Sequence, residues 1–403
     1  MEAEIEFIPE GTVTSPEGFQ AGSICAGIKE KAGDKLDLGI LFSEVPCVAA
    51  AVFTTNKIKA APVVLCQERL QDGSAVAVVV NSGCANACTG EQGLRDAVEM
   101  TSLTAEKVGV SPEDVLVAST GVIGEQLPME LIRAGIGQIV LSADGGRSLV
   151  QAMMTTDTVP KEVAVRFGDS GFTIGGVVKG SGMIHPDLAT MLCFLTTDAA
   201  VELDFLRLAL RKAVDISFNM VSIDGDTSTN DMVLVMANGL AGNKPISQDS
   251  RQAGVFQQAL DLVCIYLAKS MARDGEGADK FIEVTVNGAR SIAEARQAAR
   301  TIVGSSLVKT AVYGNDPNWG RIVAAVGRSG VEVVESKIDL YLGDICVLKE
   351  GRPLPFDKES AVRVLKESEV SIDLRLNLGI ATATAWGCDL TTDYVIINSE
   401  YTT

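Results

Sequence analysis

The sequence predicts a layered α/β (α+β) fold, because strand-like apolar runs alternate with helix-spaced ones along all 403 residues. A 47% share of hydrophobic residues with only 5% aromatic means a sizeable core built from Val, Ala, Leu and Ile. No low-complexity linker and no fixed repeat breaks the chain. The length therefore reads as two or three domains or one large layered one.

Taken in order, Val76 to Val80 is a β-branched strand ending at Asn81-Ser82-Gly83, and Leu94, Ala97, Val98, Ala105 and Val108 then recur at helical spacing. Val115 to Ser119 is the next strand and stops at Thr120-Gly121. Helical patterns follow over Met129 to Leu141 and Arg147 to Met154. Lys161 to Phe167 alternates polar and apolar, and a glycine turn at Gly168 to Gly171 leads to Phe172 to Val178, which predicts a hairpin. From there a loop beginning at Lys179 runs into an apolar strand ending near Thr197, with Thr190 at the junction. Glu202 to Phe218, Val255 to Met271 and Ile292 to Val303 read as helices, and Met232 to Met236 and Phe281 to Val286 as strands. Ile372, Leu374, Leu376 and Leu378 alternate with polar residues, and the β-branched Tyr394 to Ile397 predicts a last short strand.

Composition excludes several function classes. A net charge of −18 repels nucleic acid and anionic membranes, so neither is an expected partner. No apolar run reaches membrane-spanning length, and Glu2, Glu4, Glu6 and Glu10 are unlike the start of a signal peptide, which makes the cytoplasm the expected location. The nine cysteines form neither CxxC pairs nor a disulfide-dense pattern and are expected to be reduced and mostly buried, Cys84 and Cys88 included. With a single histidine, His185, outside any ligand spacing, no metal is expected. Asp224, Asp226 and Asp231 lack EF-hand spacing and read as a turn with side-chain-to-backbone hydrogen bonds. Neither GxGxxG nor a P-loop occurs.

The chemistry concentrates at Lys179 to Leu192. A threonine hydroxyl needs a base, and a cut between Ala189 and Thr190 would supply one, since the freed α-amine titrates near pH 8. Pro186, Gly180 and Gly182 suit a bent scissile loop, and Ala189 leaves room for attack. Spacing alone fits an ordinary strand threonine as well. Thr120-Gly121 at a strand end can aim a hydroxyl and a backbone N–H at one oxyanion, or be a common turn. Lys179 can meet a carboxylate or stay solvated. In Arg273-Asp274-Gly275-Glu276-Gly277 the glycine reads as a helix stop, and Glu276 as an exposed turn acid or the partner of a substrate ammonium.

Several motifs together resemble the ornithine acetyltransferase (glutamate N-acetyltransferase) family of arginine biosynthesis. They are Gly18-Phe19-Gln20-Ala21-Gly22, Ala51 to Asn56, Asn81 to Ala87, Ser119 to Gly124, Met154 to Thr158, Lys179 to Leu192, Gly314 to Arg321 and Asn398 to Thr403. The resemblance runs nearly end to end and implies an α-β-β-α sandwich and self-cleavage into an α chain, 1–189, and a β chain, 190–403, with a smaller subdomain from about 281. It further implies that Thr190 carries acetyl from N-acetylornithine to glutamate, that Thr120 and Gly121 stabilise the oxyanion, and that Thr156, Lys179, Glu276, Asn398 and Thr403 contact substrate. No cofactor is implied, acetyl-coenzyme A being open as a second donor, and two αβ pairs (α2β2) are the implied assembly. The competing readings are a self-cleaving aminopeptidase of related architecture and an uncut, non-catalytic binding protein.

Overall fold

The computed structural model describes residues 5–29, 35–168, 171–185 and 191–400. Along the first part run β1 (Ile5–Phe7), β2 (Phe19–Ile24), β3 (Leu38–Phe53), α1 (Ala61–Arg69), β4 (Ser74–Cys84), α2 (Gly90–Val108) and β5 (Val115–Val122). Then come α3 (Met129–Gln138), α4 (Gly146–Met153), β6 (Lys161–Phe167), β7 (Thr173–Lys179), β8 (Leu192–Thr197), α5 (Leu203–Ile216), β9 (Val221–Ser222), β10 (Met232–Ala237) and α6 (Ala253–Arg273). The last part holds β11 (Phe281–Ala289), α7 (Ile292–Val303), α8 (Ser306–Tyr313), α9 (Trp319–Gly327), β12 (Asp339–Leu342) and β13 (Ile345–Lys349). It closes with β14 (Arg352–Pro353), α10 (Lys358–Lys366), β15 (Glu369–Arg375), β16 (Ala381–Cys388) and α11 (Thr392–Glu400).

The expected layered α/β class holds. One sheet has the order β1-β6-β7-β8-β10-β3-β4-β5, with β2 added beside β3, and the other the order β14-β13-β12-β15-β11-β16-β9. Helix α4 lies against β2, β3 and β4, helices α5 and α6 against β3, β6 and β7, and α7 against β11 and β16. The expected hairpin is β6–β7, paired antiparallel from Lys161↔Val178 to Arg166↔Thr173.

Strand β8 sits in the interior of the first sheet, antiparallel to β7 and parallel to β10. That position explains why the sequence after Thr190 is continuously apolar rather than alternating, since both faces are covered. Cys193 and Leu195 enter the core shared with α5 and α6, while Leu192 and Phe194 enter the one shared with β3, β4 and α4. The segment after residue 190 therefore begins at a strand end, not on a sheet edge.

Two expectations are corrected. Tyr394 to Ile397 belongs to α11 instead of a strand. The Thr391 hydroxyl accepts the Tyr394 N–H at 3.1 Å in the manner of an N-cap, and with no ladder to join, the β-branched propensity of Val395 and Ile396 is overridden. Cys88 is exposed, whereas Cys47, Cys66, Cys84, Cys193, Cys264 and Cys388 are buried as expected. Among the described residues no helix is long and apolar enough to cross a membrane.

Candidate active site

The ends of β4, β5 and β7, the loops at 155–156, 182–183, 228–230 and 276, and α11 meet at one cleft. Its lining includes Thr120, Gly121, Thr156, Lys179, Glu276 and Asn398. All six of these sequence-derived site residues are thus brought together. Ala189, Thr190 and Thr403 lie outside the described residues.

The last residues of β5 are shaped by close backbone approach. Gly121 pairs with Gly83 of β4 and has φ +130°, and a Cβ there would fall on the Gly83 carbonyl and the Cys84 nitrogen, so only glycine fits. Lys179 ends β7 opposite Leu192 at the start of β8. Its side chain is buried and its Nζ donates to Thr120 Oγ1 at 3.3 Å. That bond occupies a lone pair of the hydroxyl and leaves its hydrogen to donate elsewhere, as an oxyanion site requires.

Beyond Lys179 the chain is fastened residue by residue. Gly180 N–H donates to Asp157 Oδ1 at 2.7 Å, Ser181 Oγ lies 2.8 Å from Thr156 Oγ1, and Glu276 N–H donates to the Ser181 carbonyl at 2.8 Å. A Cβ on Gly182 would land on the Glu276 carboxyl, so that glycine admits the acid to the cleft. Met183 and Ile184 N–H groups donate to the Asp224 carboxylate at 2.5 and 2.9 Å, and His185 Nδ1 is 3.2 Å from Ser222 Oγ. Asp224 also accepts from Asp226 N–H at 3.2 Å, the expected Asx turn. On the far side of 186–190, the Met191 carbonyl accepts from Met232 N–H at 3.0 Å.

Glu276 is buried, which decides against an exposed turn acid, and its Oε2 accepts from Asn398 Nδ2 at 2.7 Å. The α6 helix stops at Arg273. Gly275 makes no left-handed turn but lets the chain pass close to Cys388, while Gly277 carries the positive φ of +64°.

Behind these loops is an ion cluster. Lys161 Nζ, almost fully buried, lies 2.7 Å from Asp157 Oδ1 and 2.5 Å from Asp274 Oδ2. Asp274 also accepts the Thr158 N–H and hydroxyl. Burial alone would lift the Asp157 carboxyl, but the charges of Lys161 and Lys179 with the Gly180 N–H outweigh it and hold it at about 2. Burial pushes the Lys179 amine below its ordinary value, resisted by Asp157. Lys29 is likewise pushed down by burial, to about 8. Asp231, buried beneath the start of β8, has its carboxyl raised well above the usual range by burial, against a backbone hydrogen bond from Met191.

Sequence reasoning missed Asp157, Lys161 and Asp274 as one unit, as it missed Ser181 and Asn230, and Asp231, read with Asp224 and Asp226 as a turn, is instead buried against the Met191 backbone. The small polar run Ser228-Thr229-Asn230-Asp231 just before an apolar strand was the available signal, since such runs at strand ends line clefts.

Known proteins are similar to this chain along nearly its whole length. The ArgJ family model matches residues 20–403. An arginine biosynthesis bifunctional protein ArgJ of Symbiobacterium thermophilum is 56% identical over 397 residues, covering 98% of this chain and 99% of that protein. One from Dehalococcoides mccartyi is 52% identical over 405 residues and is matched along its full length. The crystal structure of an arginine biosynthesis bifunctional protein ArgJ of Bacillus halodurans is 50% identical with a TM-score of 0.52, covering 53% of this chain and 100% of that chain. This chain belongs to the ArgJ family.

Proposed function

We propose that this protein is the glutamate N-acetyltransferase of arginine biosynthesis, cutting itself between Ala189 and Thr190 and then carrying acetyl on the Thr190 hydroxyl. The observation that carries the reading is the convergence of Thr120, Gly121, Lys179 and Glu276 on one cleft at the end of the sheet where β8 begins. In the first half-reaction the Thr190 oxygen attacks the acetyl carbonyl of N-acetylornithine, its proton passes to the freed α-amine, and the amide C–N bond breaks as ornithine leaves with that proton. In the second, the glutamate amine attacks the ester, a new amide forms, and the threonine hydroxyl is restored. Charge on the carbonyl oxygen in both steps is met by the Thr120 hydroxyl and the Gly121 N–H.

Both substrates carry an amino-acid backbone, so one buried cation, Lys179, and one buried acid, Glu276, with Thr156, Asn398 and Thr403 around them, serve either in turn. The cycle needs no diffusible cofactor and no metal. The name bifunctional borne by the relatives supports acetyl-coenzyme A as a second donor to the same threonine. Their biosynthetic name also weighs against the self-cleaving aminopeptidase. Cleavage is supported by the crystallised relative, whose whole chain corresponds to 53% of this one, the share that residues 190–403 make up. The assignment extends to a cytoplasmic enzyme of two αβ pairs, with the segment from about 281, which supplies every strand of the second sheet but β9, as the smaller subdomain of the β chain.

The test offers N-acetylornithine and acetyl-coenzyme A separately to purified protein with glutamate, beside Thr190→Ala. We expect transfer by the native protein and an uncut, inactive variant. A Thr190→Ala protein that still yields two chains on a denaturing gel, or a native one that transfers nothing, would sink the assignment.

A further inference from the structure

We propose that Asn230 is the positioning residue that holds the Thr120–Gly121 end of β5 at a fixed distance from the nucleophile strand, an inference that rests on the acyl-transfer reading above. The Asn230 side chain is buried, and Nδ2 donates to the Ala85 carbonyl at 2.6 Å and to the Ser119 carbonyl at 2.8 Å. Its Oδ1 accepts the Thr229 hydroxyl at 2.5 Å, and its own N–H donates to Ser228 Oγ at 3.1 Å. Both amide hydrogens are thus used. Turning the amide over would set its oxygen against two carbonyl oxygens, so its orientation is determined by its surroundings.

What it grips is that strand end. The Ser119 carbonyl precedes Thr120, and the Val122 carbonyl, just after Gly121, accepts from Ala85 N–H at 2.9 Å. Ala85 is itself held through its carbonyl by Asn230, so the two anchors that bracket Thr120–Gly121 both lead to one side chain. At its other end Asn230 lies two residues before Met232, whose N–H donates to the carbonyl of Met191, the residue after Thr190. In the sheet β10 is separated from β5 by β3 and β4, so no ladder joins the two directly. Asn230 spans that gap past the ends of the intervening strands. A nucleophile and its oxyanion donors act together only when their separation is held to a fraction of an ångström.

The experiment compares native protein with Asn230→Ala, Asn230→Asp and Asn230→Ser, reading cleavage, thermal midpoint, and kcat and KM for acetyl transfer, and repeats Asn230→Ala in a Thr120→Val background. Asn230→Ala and Asn230→Asp are expected to lower kcat roughly 10- to 100-fold while both KM values stay within about twofold, since loss of one oxyanion donor costs about 100- to 1,000-fold. Asn230→Ser, small and one donor short, is expected to lose less. With the Thr120 hydroxyl already gone, the further loss from Asn230→Ala shrinks to under about threefold, because both act through one strand end. Cleaved variants with native kcat, a change confined to KM, or losses that simply multiply in the double variant would each overturn the proposal. So would failure of all three single variants to fold, which would make Asn230 structural only. Native protein in the same assay separates these results from failure of the transferase assignment itself.

Discussion

At the end of β5 the backbone around Thr120–Gly121 is held by neutral groups, the Asn230 amide and backbone N–H groups, and only the Thr120 hydroxyl meets a charge, from Lys179, whereas at the end of β7 the Lys179–Gly182 turn is held by buried charges. Both ends face one cleft, yet they do different jobs. Donors for a developing oxyanion need dipoles fixed in place before the charge appears. Recognition of an amino acid needs full charges, and buried charges hold their geometry only when paired and hydrogen-bonded. The Lys161 ammonium answers that need. It joins Asp157, which grips Gly180, to Asp274, which lies two residues before Glu276.

The sharpest way to break the charged end is to remove that ammonium. Lys161→Met leaves two carboxylates facing each other in the interior, and losing one partner of a buried pair costs about 3–5 kcal/mol. We expect a large fall in denaturation midpoint and, in whatever remains folded, a raised KM for glutamate, because the Lys179 and Glu276 loops lose their common tie. A stability close to native in urea denaturation would mean that the cluster is not what holds these loops. The contrast with Asn230→Ala, where kcat and not KM is expected to fall, is the comparison in its most testable form.

The strands that end at the cleft were far more legible in the sequence than the ion cluster behind them. A β-branched run that stops at Thr120-Gly121, and a hairpin that delivers Lys179 to a glycine-rich loop, are local signals, and β5, β6, β7 and β8 formed where those signals stood. Lys161 gave none. On a strand that alternates polar and apolar it reads as a solvated face, and its burial depends on Asp274, 113 residues away, together with Asp157. Glu276 was ambiguous for the same reason, its burial depending on Asn398 and Ser181 from distant segments. Tyr394 to Ile397 failed oppositely: the local propensity was clear, but a strand needs a neighbour and the chain offered a cap instead. Thr190 itself stood out through its loop, and the motifs around it carried the family.

Acid should probe the same contrast with a smaller effect. The Asp157 carboxyl sits at about 2 in the folded protein against an ordinary 3.8, so its charged form is favoured by folding. Its contribution is therefore complete above about pH 4 and is lost as pH falls through about 2, amounting to about 2 kcal/mol. Thermal midpoints of native protein and Asp157→Asn between pH 6 and pH 2 should converge as the pH drops. Curves that stay parallel through that window would remove Asp157 as a source of the acid sensitivity. The amides around Thr120–Gly121 do not titrate there, so acid should loosen one end of the cleft and spare the other.

The smallest expected effect lies far from the cleft, where the pair Arg290–Glu332 separates hydrogen-bond count from burial. Arg290 meets Glu332 through NH1 at 2.5 Å and NH2 at 2.6 Å, as many contacts as Lys161 makes to its two acids. The difference is water: the side chains of this pair are 55% and 42% exposed, against 1% for Lys161. In water an ion pair replaces hydration of similar strength, restricts two long side chains and is screened by salt, so Arg290→Ala should cost at most about 1 kcal/mol. Transfer kinetics should not change, and the small stability difference should vanish in 1 M salt. An Arg290→Ala loss matching that of Lys161→Met would show that contact number, and not exclusion of water, sets the strength of the cluster behind the site.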